Sequence, residues 1–102
     1  MKQKLLNTIS EIIKLLSQCD LNSKVKWFEE KQKNIAKLEE NGDEFREEMR
    51  TLREIISGMG SFLDLPVYPK KESGLSRLEA RKKQSELAER LYELTSEVLG
   101  LR

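Results

Sequence analysis

Six carboxylates crowd between positions 39 and 48: Glu39, Glu40, Asp43, Glu44, Glu47 and Glu48. Such density raises the question of hard-cation chemistry, because carboxylates carried on helices hold magnesium and let it activate water. That chemistry needs two complementary groups, an EExxE on one helix and an ExxD on another. The chain has one ExxD spacing, Glu40 to Asp43, and it straddles Gly42, where a helix is expected to end. The magnesium pattern fails, and no metal or other cofactor is expected. Two readings of the cluster stay open. It is a solvated face with Asp43 and Glu44 at the positive end of a helix, or an acidic docking surface for a basic partner.

Other chemistry is scarcer still. The chain has no histidine, which removes the commonest general base and the commonest transition-metal ligand. A serine–histidine–aspartate relay is impossible, and the single cysteine, Cys19, has no histidine to draw off its proton. The expectation is a protein that is not an enzyme. Lys70, Lys71, Arg77, Arg81, Lys82 and Lys83 form a basic cluster, but Glu72, Glu79 and Glu86 dilute it, and neither interleaved aromatics nor a glycine-rich phosphate loop accompanies it. No direct contact with nucleic acid is expected.

The elements that must position these residues read as helices. Leu5, Ile9, Ile12 and Leu16, widened by Leu6 and Ile13, predict a first helix over about 2–18. Val25, Phe28, Ile35 and Leu38 predict a second over about 24–41, capped by Ser23 and closed by left-handed Asn41 and Gly42. Trp27 and Phe28 are neighbours, so one packs between helices while the other lies nearer the surface. Phe45, Met49, Leu52 and Ile56 predict a third over about 44–57, capped by Asp43. Ser76 and Glu79 form a capping box for a fourth over about 77–99, whose first half, Arg81 to Glu86, has no large apolar residue and is expected to project into solvent. Gly60, Pro66, Pro69 and Gly74 keep the long stretch between the third and fourth helices from being helical.

The fold class predicted is all-α: one domain over residues 1–102, a small antiparallel four-helix bundle with a long loop between helices three and four. Net charge is +1, from 19 basic and 18 acidic residues, so the molecule as a whole carries no field favouring nucleic acid or anionic membrane. The charge is unevenly placed: residues 29–54 hold nine acids against six bases. No apolar run approaches the roughly 20 residues that span a bilayer. With a lone cysteine and no apolar leader at its start, the chain is expected to be soluble and cytoplasmic.

The octet Gly58-Met59-Gly60-Ser61-Phe62-Leu63-Asp64-Leu65 is the most distinctive segment. Gly58 supplies a helix cap, Gly60 lets backbones approach closely, Ser61 and Asp64 are spaced as a capping pair, and Phe62, Leu63 and Leu65 cover the end of a core. With Leu91-Tyr92-Glu93-Leu94 further on and, loosely, Trp27, the octet resembles a family of small bacterial helical proteins associated with polymorphic toxin systems. The resemblance implies an immunity protein. Its implied partner is a cognate toxin, often a basic nuclease of the contact-dependent growth inhibition kind, whose active site it occludes. For such a partner the expected contact surface is Glu39, Glu40, Asp43, Glu44, Glu47 and Glu48, with Gly58, Gly60, Ser61, Phe62 and Asp64 as a structural loop. The chain itself is expected to be a monomer or a weak homo-oligomer. The competing expectation is a homo-oligomeric helical adaptor or structural bundle, with the polar first half of the last helix as its interface.

Overall fold

In a computed structural model that describes residues 1–57 and 62–101, the apolar stripes fold into four α-helices: α1 (Lys2–Gln18), α2 (Asn22–Lys37), α3 (Asp43–Ser57) and α4 (Arg77–Leu99). Two short 3-10 turns, Phe62–Asp64 and Lys71–Ser73, lie in the long connection. The helices run up, down, up and down. α1 packs on α2 and on α4, and α4 packs on α3, while α2 and α3 meet at few points. The 23 residues of α4, at about 1.5 Å of rise each, account for most of the 42 Å long axis.

The core follows the stripes. Leu5, Ile9, Ile12 and Leu16 of α1, Phe28 and Ile35 of α2, Phe45, Met49 and Leu52 of α3, and Leu87 and Leu91 of α4 are buried together. Two buried hydroxyls share this space without penalty, because each donates to a carbonyl one turn back: Thr8 to Lys4 (2.9 Å) and Thr95 to Leu91 (2.9 Å). Of the adjacent aromatics, Phe28 is buried and Trp27 half-buried, with the rings meeting edge to face at 4.9 Å.

α1 ends as the break in its period predicts. Asp20 takes the left-handed conformation (φ 59°), and the Leu21 N–H donates back to the Leu16 carbonyl at 3.0 Å, closing the last turn. The next helix begins earlier than predicted. The Leu21 carbonyl accepts from the Lys24 and Val25 N–H groups, so α2 starts at Asn22 and Ser23 is inside it rather than its cap. α2 also ends earlier, at Lys37 rather than Asn41. The Lys2 ammonium takes the Ala36 and Leu38 carbonyls at 2.9 and 2.7 Å, and Leu38 turns extended to pack its side chain on the core. A cation on the last carbonyls is favoured by the helix dipole and substitutes for the further turn.

The reversal into α3 uses Asn41 in the left-handed region (φ 67°), as predicted. Gly42 serves differently. Its N–H donates to the Glu39 carbonyl at 3.0 Å, and a Cβ on it would meet that same oxygen at 3.2 Å, so it supplies close approach rather than a left-handed turn. Asp43 is the first helical residue of α3 and not its cap, since the Arg46 N–H donates to the carbonyl of Gly42.

At the far end of the bundle the 62–76 connection crosses the top of α1, where the Lys70 N–H donates to the Gln18 carbonyl at 2.8 Å, and buries Phe62 and Val67 over the core. Ser76 and Glu79 form the predicted capping box, each side chain accepting from the other's backbone N–H at 3.1 Å. The following turns do not project into solvent. Ala80 and Gln84 are buried, and the Gln84 amide donates to the Phe62 and Leu65 carbonyls at 2.9 and 3.1 Å. This face packs through a small residue and a polar clamp, neither of which an apolar stripe reveals.

Candidate functional site: the acidic turn between α2 and α3

With α2 ending at Lys37, Glu39 and Glu40 lie in the turn, and Asp43, Glu44, Glu47 and Glu48 follow on α3. Glu39, Glu40, Asp43, Glu44 and Glu47 are exposed and Glu48 is half-buried. The structure sorts the six by what their charge is doing. Glu40 accepts the Lys2 N–H at 3.0 Å, which ties the turn to the start of α1. Glu47 pairs with Arg50 at 2.7 Å, one turn along the same helix.

Glu48 faces α2. The Lys31 ammonium lies 3.2 Å from its Oε2, with both side chains about 20% exposed, and the same ammonium stands 5.4 Å from the centre of the Trp27 ring. The same ammonium donates to the other carboxylate oxygen, Oε1, over a long 3.5 Å, while the buried Oε2 accepts no hydrogen bond, so the pair is held by Coulombic attraction and one weak bond. Glu39, Asp43 and Glu44 have no cationic or hydrogen-bonding side-chain partner among the described residues. They form an unneutralised acidic corner on a turn whose backbone is fixed from three sides: by Lys2, by the close approach at Gly42, and by the first turn of α3. With the backbone held, only these side chains remain to be ordered when a partner arrives.

The rest of the predicted set fares unevenly. Phe62 is buried, 6.0 Å from Phe28 in an edge-to-face contact, as a structural residue should be. Asp64 is exposed at the end of the 3-10 turn. Gly58, Gly60 and Ser61 lie outside the described residues. Cys19 is buried, and desolvation pushes its thiol above the ordinary cysteine range, which disfavours the thiolate that nucleophilic chemistry would need. Among the described residues no group of three or more histidine, cysteine, aspartate or glutamate side chains is arranged to hold a metal ion, so the six acids do not converge. Nor, among them, is any helix long and apolar enough to cross a membrane.

Sequence reasoning missed the groups that organise these acids, the Lys2 backbone N–H and the Lys31 ammonium. Lys2 and Lys31 sit 38 and 17 positions from their partners Glu40 and Glu48, beyond any local pattern. It also missed Arg46, which lies among the acids but points away from them to the end of α4, donating to the Val98 and Leu99 carbonyls at 2.8 and 3.3 Å. Arg46 thereby leaves the negative charge of Asp43 and Glu44 unopposed. Compared with models of known protein families, with curated proteins and with solved structures, the chain matches none.

Proposed function

We propose that this chain is an immunity protein: a non-enzymatic helical bundle that works in the cytoplasm by binding a cognate bacterial toxin, a nuclease of the contact-dependent growth inhibition type, and occluding its active site. The observation that carries the reading is the acidic corner of Glu39, Asp43 and Glu44. These carboxylates are exposed, rigidly mounted and unspent on contacts within the described chain. A nuclease presents cations to the phosphates of its substrate, and a fixed set of carboxylates competes for the same cations. Long-range attraction between the two surfaces speeds encounter, and the helical scaffold holds the acids in register once contact is made. The resemblance of the 58–65 octet to small helical proteins of toxin systems supports the same reading, as does a sequence without histidine.

The test is neutralisation. The chain is co-expressed with the toxic C-terminal domain encoded beside its gene, and growth and complex formation are measured. Restored growth and co-elution of the pair are expected. With Glu39→Lys, Asp43→Lys and Glu44→Lys combined, association should slow by roughly tenfold or more at low salt, and the effect should shrink as salt is raised. Unchanged protection by the charge-reversed chain would move the contact surface elsewhere, and failure of the native chain to protect would overturn the function.

A further inference from the structure

We propose that the groove between the 63–68 segment and the start of α4 is a second docking site, one that takes an acidic, partly apolar segment of a protein partner. The groove has a volume of about 320 Å³ and lies at the opposite end of the bundle from the acidic turn. Its α4 wall is Arg77, Arg81 and Gln84, spaced by four and three along one helical face. Gln84 fixes the distance between the walls through its two hydrogen bonds to the Phe62 and Leu65 carbonyls. Tyr68 and Arg77 close one end: the guanidinium stacks 4.3 Å from the ring centre and donates to the phenol oxygen at 3.1 Å.

Arg81, one turn further along, makes no ion pair or side-chain hydrogen bond among the described residues. Among the described residues Asp64 is the one acid lining the groove, against two guanidiniums. A second feature selects the occupant. Leu63 (48% exposed) and Tyr68 (56%) line this groove, so two exposed large apolar side chains border the two cations. Tyrosine and arginine are the side chains enriched in protein-binding hot spots, and the exposed Leu63 adds apolar surface beside them. A carboxylate entering between Arg77 and Arg81 gains charge-assisted hydrogen bonds, and an apolar residue beside it covers Leu63. A nucleic acid fits less well. One face of Tyr68 is already covered by Arg77, Asp64 repels a phosphate, and the leucines offer a sugar-phosphate backbone nothing.

The site is independent of the acidic turn, and the experiment separates them. Amide NMR of the full chain is followed during titration with a short capped peptide of alternating leucine and glutamate, and in parallel with its glutamine counterpart, inorganic phosphate and oligodeoxythymidylate. Saturable shifts confined to residues 63–68 and 77–84 are expected with the acidic peptide alone. Arg81→Glu, which breaks no ion pair or hydrogen bond among the described residues, should weaken that binding by roughly tenfold or more, and Leu63→Ser should weaken it by a smaller factor. Both variants should keep the native spectrum outside the groove and leave toxin neutralisation unchanged. Equal binding of the acidic and neutral peptides, no response to Arg81→Glu, or stronger shifts with phosphate or the oligonucleotide would each overturn the proposal.

Discussion

Helix α3 has an antiparallel neighbour on either side, and the two seams are built in different ways. Along α4, Arg46 holds the last carbonyls of its neighbour, while Arg53 donates to the Ser96 hydroxyl and lies 4.3 Å from the centre of the Tyr92 ring. Along α2, a single ion pair among the described residues, Lys31 with Glu48, crosses the boundary, and a cleft of about 160 Å³ opens where Lys24, Trp27 and Phe28 face Ile55. Packing therefore runs α2, α1, α4, α3, with α2 and α3 as the two ends of the series. The connection lengths run the other way. α2 and α3 are joined by the five-residue turn 38–42, whereas α3 and α4 are separated by residues 58–76. Nearness in sequence does not set how firmly helices pack; the side chains on the facing surfaces do.

The largest effect should come from α3's own anchor. Phe45 is fully buried, and Phe45→Ala is expected to cost about 3–5 kcal/mol, read from denaturant unfolding. A loss below about 1 kcal/mol would mean that α3 is not seated in the core as described. The next test addresses the firm seam. Arg46→Ala leaves the Val98 and Leu99 carbonyls without their cation and should cost about 1–2 kcal/mol, with amide exchange quickening in the last turn of α4. Exchange that quickened in α2 instead would contradict the assignment of Arg46 to this seam.

Much of this architecture is legible in the sequence, and the exceptions share a cause. The spans of α1, α3 and α4 follow from apolar spacing, helped in α4 by the Ser76–Glu79 capping box, all of which is local. The ends of α2 do not follow, because what stops that helix is Lys2, far away in the chain, and what starts it is the closing turn of α1. Within the candidate site, the density of carboxylates is plain in the sequence. Their division is not: Glu40 and Glu48 are tied up by distant lysines, while Glu39, Asp43 and Glu44 have no such partner. The groove at the start of α4 was less legible still, since its polar face, Arg77, Arg81 and Gln84, acquires meaning only when the loop folds back over it.

The start of α4 offers a smaller effect on the firm side of the molecule. Ser76→Ala removes one half of the capping box and should cost about 1 kcal/mol, visible as a lower unfolding midpoint. The other half is sensitive to pH. The Ser76 N–H, then its hydroxyl, hold the Glu79 carboxyl below its ordinary value of 4.5. A carboxyl with a lowered folded value stabilises the fold above its unfolded value, and loses that contribution as pH falls through the folded one. Glu79→Gln should therefore be less stable than the native chain at neutral pH, and the gap should close in acid below the usual glutamate range. A gap that held constant to low pH would show that the carboxylate's charge plays no part.

The smallest expected effect lies at the weak seam and bears most directly on the comparison. In a double-mutant cycle of Lys31→Met and Glu48→Gln, the coupling energy isolates the one ion pair between α2 and α3. Both side chains retain about a fifth of their exposure, and the one hydrogen bond between them, Lys31 Nζ to Glu48 Oε1, is long at 3.5 Å, so the pair is partly solvated and weakly directed. A coupling of about 0.2–1 kcal/mol is expected, shrinking as salt is raised. A coupling above about 2 kcal/mol would mean a desolvated lock of the kind found for buried pairs. The α2–α3 boundary would then be a second firm seam, and the contrast between the two sides of α3 would fail.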